Sequence, residues 1–552
     1  MIKLVALSNT KFNFKIFYVI PLFVFFGLIH SLFVVRTINK SAPTYDEPIH
    51  LISGYSILKK DNFRVNGYHH PPFAEMWSAI PLIFLKSTIP VHHPAWIAQA
   101  WDPVSQYRFA DAFLYKNKTP PDEMIFWGRF MQLFISLVLG FFLISCAATL
   151  GGFLAGLFVA VFWALNPVFI SNAALIATDF SFAVFYFLFF YFLFLNENIS
   201  LRPMSKGIKA GIALGLCVTS KYLAVALFPS LFLVLLFVFF KKQLSKQTMI
   251  SLFISVLVAV AIIFLIHKGN SIDVMLDGYK ALFSRAQSGR SSFFMGNHYT
   301  EGNILYFPFL FFVKTPIPVL LGFLILVYLL IKKTVQIPAW VWIPTLTFLF
   351  IVLTSKVQIG HRHILALYPF VVLIAALSYA RFTQVQGFFF AVMACVWMFW
   401  SCWNTSPWFI SYFNEFIGGP RHGYKYVTDS NVDWGQGLSE LGKELSLSDR
   451  ENGIFLSYFG VADPHFYGIR YWDVGSDTIA GHLDDSDLNL NPTKLAISVT
   501  NLQATYYSDK KIFKWLESLT PTQIVAHSIF IYDLKDHPQA LLQLKNMRTR
   551  PG

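Results

Sequence analysis

Charge is scarce in this chain. Only 13% of its 552 residues are Asp, Glu, Lys or Arg, against 55% hydrophobic. That balance excludes a soluble globular domain and leaves a polytopic membrane protein. Cysteine is scarce as well. Cys146, Cys217, Cys395 and Cys402 all fall in apolar runs, without metal-ligand or redox spacing, so no disulfide framework is expected. There is no Gly-rich phosphate loop of the required spacing, which argues against a nucleotide site. Internal repeats and low-complexity tracts are absent too. The first apolar run has basic residues before it but is too long for a signal peptide, and no small-residue cleavage site follows Val34-Val35-Arg36; it is expected to stay in place as a span.

What the chain does have is phenylalanine, 60 of them, in runs long enough to cross a hydrocarbon core of about 30 Å. We place about eleven spans, near 16–35, 126–147, 152–172, 179–195, 208–224, 225–240, 248–267, 316–331, 339–354, 364–380 and 387–403. Lys3, Lys11 and Lys15 precede the first, which puts the N-terminus in the cytoplasm by the positive-inside rule. Alternation then gives cytoplasmic loops carrying Arg202, Lys206 and Lys209, then Lys241, Lys242 and Lys246, then Lys332 and Lys333, and last Arg381. Glu197 is the one acid among them. An odd number of spans puts the C-terminus outside. The net charge of +13 suits anionic headgroups and topology rather than nucleic acid, because acids outnumber bases in residues 404–552.

Four polar segments are expected outside: residues 36–125, with an amphipathic stretch near 73–88 at the interface; the turn from Asn166-Pro167 to Asp179; residues 268–315; and the tail from 404. The expected division is a membrane domain over 1–403 and a small α/β domain over 404–552. In the tail, Leu438–Leu447 reads as a helix, and Ile454–Tyr458, Leu495–Val499 and Ile524–Tyr532 read as strands.

Chemistry is concentrated at the outer rim. Asp46 and Glu47 follow the first span by about ten residues, where a partly desolvated carboxylate gains proton affinity and can act as a general base. A helix cap before Pro48 is the competing reading, and the two roles are compatible. His69 and His70 precede a stiffening Pro71-Pro72 and could meet a metal or a phosphate. Asp179 enters an apolar run, where an ionisable group is functional by default, or caps its own span. It could assist Asp46 with an acceptor or share a divalent ion with it. Lys221, Lys314, His361 and Arg362 all sit at span boundaries on the outer side, as anion sites or as snorkelling anchors. In the tail, Asp429, Asn431 and Asp433 could bind sugar hydroxyls while Trp434 stacks on a sugar face; a loop that merely caps the next helix is the alternative.

Asp46-Glu47, His70-Pro71-Pro72, Arg129, Asn166-Pro167 with Thr178-Asp179, Ser220-Lys221-Tyr222, Lys314-Thr315-Pro316 and Gly360-His361-Arg362-His363-Ile364-Leu365 occur in that order through nearly all of the membrane part. This series resembles the membrane-embedded GT-C glycosyltransferases of the protein O-mannosyltransferase and aminoarabinose-transferase type. The tail, with Asp433-Trp434-Gly435-Gln436, is similar to that of bacterial phospholipid-carrier-dependent glycosyltransferases. The resemblance implies a polytopic α-helical membrane protein of the cell envelope, in a bacterial cytoplasmic membrane, using a polyprenyl-phosphate-linked sugar. It implies Asp46 as the catalytic base, accompanied by Glu47, with Arg362 and Lys221 at the lipid phosphate or the membrane rim. Ala366 stands where the family has proline, which puts the local turn in question. The sugar, the acceptor (protein, lipid or glycan) and any metal requirement do not follow from the resemblance. A lipid or sugar transporter is the competing class; it expects ionisable residues near the midplane and two related halves, neither of which is evident here. A scaffold that recruits partners through its tail would need no carboxylates at the rim.

Overall fold

The computed structural model describes residues 10–97, 103–195, 203–269, 272–475 and 490–548. Lys3, Glu197 and Arg202, used above for topology, lie outside the described residues. Helices dominate, and the expected apolar runs are helical. Among the described residues six helices are long and apolar enough to cross a membrane, or up to eight if each of two bent pairs is one span. This is a multi-pass membrane architecture. The count falls short of eleven for physical reasons. Pro121–Ala164 carries two of the expected runs; a straight helix of its 44 residues would be about 66 Å long. The chain instead breaks at Gly152 (φ 76°, ψ −163°), a conformation that favours glycine. Its arms then fold back, bringing Gly140 against the Trp163 ring and Gly156 against Ala148.

Other runs are short. Pro203–Val218 has 16 residues and Ala339–Leu353 has 15. The first is held by close approach. Gly207, Gly211 and Gly215 lie one turn apart, and a Cβ on any of them would come within 2.6 Å of Ile254, Val258 or Ile262 on Lys246–Ile266. Small residues at a four-residue spacing let two backbones meet where lipid offers no hydrophobic drive.

The two bent pairs position the rim. Pro167–Ala173 and Thr178–Phe194 meet at 117°, and Tyr306–Lys314 and Ile317–Ile331 at 110°. Asn166 caps the first of these, its side chain accepting from the Val168 amide at 3.0 Å. Ala366, in place of the expected proline, is buried in a 3-10 helix, His361–Leu367, that runs into Tyr368–Tyr379.

The strands are β1 (Ser292–Phe294), β2 (Asn297–Tyr299), β3 (Ile454–Ser457), β4 (Tyr471–Asp473), β5 (Lys494–Ser498), β6 (Gln523–Val525) and β7 (Ile529–Asp533). β1 and β2 form a hairpin; the others form a mixed sheet in the order β4-β3-β5-β7-β6. β3 is parallel to β4 and β5, while β7 is antiparallel to β5 and β6. The expected single strand over 524–532 is in fact two, because Ala526 (φ 51°) and His527 (φ 57°) turn the chain. The expected helix over 438–447 ends at Glu444, and a second runs from Leu447 to Asn452.

The tail is sewn to the rim. Ala42 and Tyr45 donate backbone N–H groups to the carbonyls of Gln436 and Trp434, each at 3.0 Å, and Met295 donates to Tyr426 at 2.8 Å.

Candidate active site

Asp46 and Glu47 begin the same helix, Glu47–Lys60, and have opposite surroundings. Glu47 is fully buried. Its Oε1 accepts from Arg129 Nε at 2.8 Å and from the Ile176 amide at 2.9 Å. Its Oε2 accepts from Arg129 Nη2 at 2.6 Å and from the Thr44 amide and hydroxyl at 2.7 and 3.0 Å. Burial alone would raise its carboxyl pKa, but Arg129 and these donors bring it below the usual carboxylate value. With its lone pairs so occupied, Glu47 is a brace that fixes Asp46 beside it, a geometry unlike that of a base.

Asp46 sits at the N-cap position but makes no side-chain cap hydrogen bond. Its carboxylate turns to Arg362, whose Nη1 donates to Oδ2 at 3.0 Å. The same Nη1 is 4.0 Å from Asp179 Oδ2, and Lys221 Nζ donates to Asp179 Oδ1. Four residues spread across 317 positions thus converge. Asp46 is the more open acid, with 28% of its side chain exposed against 5% for Asp179. The Arg362 guanidinium lies over the Trp434 ring at 4.0 Å, and its buried Nε has no hydrogen-bond partner among the described residues. A cleft adjoins it, lined also by Ser171, Asn172, Lys314, His361 and Ser430.

The other expected residues divide. His70 Nδ1 lies 3.1 Å from Thr178 Oγ1, one residue from Asp179. His69 accepts from Arg285 Nη1 at 2.9 Å; burial and then that cation push its pKa down to about 4, so it is neutral near pH 7. His70 is pushed well down by burial and by the neighbouring His50. His50, which the sequence reading missed, meets Glu75 at 2.8 Å, and Glu75 also accepts from Ser53 and Asn66 at 2.5 and 2.6 Å. Burial opposes charging of His50, but the Glu75 bond and the charges of Glu75 and Asp46 outweigh it, and its pKa is raised.

Lys314 and His361 line the cleft, and each already makes hydrogen bonds within the protein. Lys314 Nζ donates to the carbonyls of Ile410, at 2.8 Å, and Asn431, above the Phe413 ring. His361 meets Tyr368 Oη at 2.6 Å, and its amide donates to Asn431 Oδ1 at 2.8 Å.

The tail residues expected to face an acceptor lie deeper than that expectation needs. Asp433 is fully buried, and burial, only partly offset by the Gly435 and Thr500 amides, pushes it up to about 7. Asp429 is buried with Tyr506 Oη donating to it, and it too is raised by burial against the pull of Arg290. Trp434 is 4% exposed, and its ring lies against Arg362.

Among the described residues no group of three His, Cys, Asp or Glu side chains gathers as a metal site. The space that an ion shared by Asp46 and Asp179 would need is taken by the Arg362 guanidinium.

Fold and site together define a multi-pass membrane protein with a charged cluster, two acids interleaved with two cations, beside a cleft where its apolar helices meet the tail. No protein-family model and no curated protein matches the sequence. Solved structures are similar in outline. ArnT from Cupriavidus metallidurans bound to undecaprenyl phosphate matches 92% of this chain and 97% of its own, at 10% identity and a TM-score of 0.47. The same protein in the apo state matches at 11% identity and a TM-score of 0.48. The archaeal oligosaccharyltransferase AglB from Archaeoglobus fulgidus, in complex with an inhibitory peptide and a dolichol-phosphate, matches 88% of this chain and 70% of its own, at 12% identity and a TM-score of 0.41. ArnT and AglB are both GT-C fold glycosyltransferases, the class whose motifs the sequence resembles. At such identities and TM-scores the likeness decides nothing about chemistry, which has to come from the side chains.

Proposed function

We propose that this chain is a glycosyltransferase that moves one sugar from a polyprenyl phosphate to an acceptor at the outer face of the membrane, with Asp46 as general base. The carrying observation is the meeting of Asp46, Arg362, Asp179 and Lys221 at one rim, beside a cleft. The acceptor hydroxyl or amine gives its proton to the Asp46 carboxylate as its heteroatom attacks the sugar C1. The C1–O bond to the phosphate breaks on the opposite face, and the bonding pair leaves with the polyprenyl phosphate. One displacement inverts the anomeric centre. The leaving phosphate needs no protonation, so one carboxylate suffices where glycoside hydrolysis uses two. Arg362 and Lys221 meet the charge that grows on the phosphate, and the unpartnered Arg362 Nε is a donor suited to it. Asp179 holds those cations in register, and Glu47 with Arg129 fixes the turn that carries Asp46.

In this reading the N-terminus is cytoplasmic, the tail is extracytoplasmic, and residues 404–552 complete the rim from outside. The membrane is a bacterial cytoplasmic one. The transporter reading lacks support in this arrangement, since the ionisable cluster lies where the spans give way to the polar loops and the tail.

The test is Asp46→Asn in purified full chain, with release of polyprenyl phosphate as the measure of turnover and binding of undecaprenyl phosphate measured in parallel. Turnover should fall about a hundredfold to ten-thousandfold with binding held within a few-fold. Retained turnover, or a cytoplasmic location of residue 46 by impermeant labelling of a cysteine placed there, refutes the reading.

A further inference from the structure

The helix Ile272–Ser288 follows the span Lys246–Ile266 at its rim end, where His267 stacks on Phe63 of the first loop at 6.3 Å between centroids. The stretch closes at Ile304 and Leu305, just before Tyr306–Lys314 starts a bent span, so both of its ends are tied to span ends. The helix has distinct faces. Ile272, Leu276 and Phe283 are each at least half exposed. At about 100° per residue they fall within about 40° of one another. Ile304 and Leu305 are exposed as well. Roughly opposite that stripe, Gly278 is buried against the Tyr222 ring, where a Cβ would come within 2.0 Å of Cζ. Tyr222 Oη donates to the Gly67 carbonyl at 2.6 Å, and Arg285, on the same side of the helix, donates to His69 at 2.9 Å. Asp273, Asp277, Lys280 and Ser284 lie between these two faces on one side, with Lys280 donating to Asp277 at 2.7 Å. Met275 and Tyr279, both half-buried, lie between them on the other.

A helix lying flat in a membrane interface needs this order of faces. Its charged side chains stand toward water, Met275 and Tyr279 turn away from it, and the protein takes one flank. The other flank, Ile272 with Leu276 and Phe283, is left for an apolar neighbour. Bathed in water, such a stripe with Ile304 and Leu305 would be an adhesive patch. What covers it follows from where it sits. The stretch is continuous at both ends with apolar helices whose own outward side chains, Phe264 and Phe312 among them, face the hydrocarbon of a bilayer. The acids and bases of the helix balance, Asp273 and Asp277 against Lys280 and Arg285, so attraction to charged headgroups is not the main term.

We propose that the Ile272–Leu276–Phe283 stripe is a seat for membrane lipid, so that this helix lies along the leaflet at the rim with acyl chains as its occupant. In the topology above that leaflet is the outer one. The seating holds Arg285 on His69 and Gly278 on Tyr222, the residue after Lys221, and His69 is within electrostatic reach of Asp46. Lipid packing on one flank of the helix therefore bears on the charged cluster through the other. That coupling rests on the transferase reading; the seat does not.

The test places the photoreactive residue p-benzoylphenylalanine in the full chain, in separate variants, at Leu276 or Phe283, at Asp273 or Ser284 on the water side, and at Phe264 as the lipid-facing reference. Membranes of expressing cells are irradiated and the adducts identified by mass. Phospholipid adducts at 276 and 283 should reach about half the yield at 264 or more, and about fivefold that at 273 and 284. Equal yields at the four helix positions, no lipid adduct at 276 and 283, or adducts there to another protein or a second copy would overturn the seat. The coupling is read from Phe283→Asp, which should lower turnover about threefold or more with undecaprenyl phosphate binding within about twofold, while Phe283→Leu keeps turnover within about twofold. Unchanged turnover in Phe283→Asp overturns the coupling. A wild-type chain without turnover overturns the transferase reading and the coupling with it, and the adducts still decide the seat.

Discussion

Arg129 offers the sharpest test of how the site is held. Its five N–H donors are all used: Nε and one Nη2 proton on Glu47, the other Nη2 proton on the Ala42 carbonyl at 2.9 Å, and Nη1 on the carbonyls of Ile38 and Ser41 at 3.1 and 2.8 Å. One buried guanidinium therefore closes the end of the first span, Thr10–Lys40, and clamps the helix that begins beside Asp46. Arg129→Met strands a carboxylate that is shielded from water, and Glu47→Gln strands the cation. Each should cost about 3–5 kcal/mol, the usual range for removing one member of a buried ion pair. The double variant leaves no uncompensated charge, and the amide oxygen at 47 can still accept from one of the Thr44 and Ile176 N–H groups. It should be no less stable than Arg129→Met alone, a coupling of about 3 kcal/mol. Turnover should nevertheless fall about a hundredfold or more in all three, because a shift of about 1 Å at the reacting group is enough for that loss. Reversible detergent denaturation gives the stabilities, and polyprenyl phosphate release gives the rates. Additive single losses, or full turnover in the double variant, would refute the clamp.

Trp434→Leu removes the ring under Arg362, an interaction worth about 1–2 kcal/mol when desolvated, and should lower kcat about tenfold with carrier binding little changed; unchanged kcat would mean the ring does not hold the guanidinium. Asp433, pushed up to about 7 by burial from 3.8, binds its proton more tightly folded than unfolded, so stability should fall as pH rises from 4 to 7. The contribution is on the order of 4 kcal/mol, and Asp433→Asn should flatten that slope in melts at pH 5 and pH 8. Gly211→Ala forces a methyl into the Val258 and Ser255 contacts and should destabilise by about 1–3 kcal/mol in the same denaturation assay.

Much of the cluster could be read from the chain because its members carry charge where apolar sequence makes charge conspicuous. Asp46, Asp179, Lys221 and Arg362 all stood out at span boundaries, and the structure brings them together. The helices stood out through sustained hydropathy, and β3 and β5 through short β-branched and aromatic runs. Pairing was harder to foresee. Nothing in the spacing says that Glu47 belongs to Arg129, 82 residues on, or that Trp434 would meet a guanidinium rather than a sugar. The turn between β6 and β7 was missed because Ala526 and His527 hold positive φ without glycine or asparagine to mark them.

The hold that residue 431 has on the membrane part bears on how the molecule comes to be made. The backbone oxygen of Asn431 receives the Lys314 ammonium, and its side chain receives the amide of His361. Both donors precede it on the ribosome, one by more than a hundred residues. Until that late stretch is synthesised, a nascent chain holds an ammonium at a bent helix end without its final acceptors. The rim is therefore completed only when the tail folds down on it, and a stop codon just past the last apolar helix should yield an inserted but inactive protein.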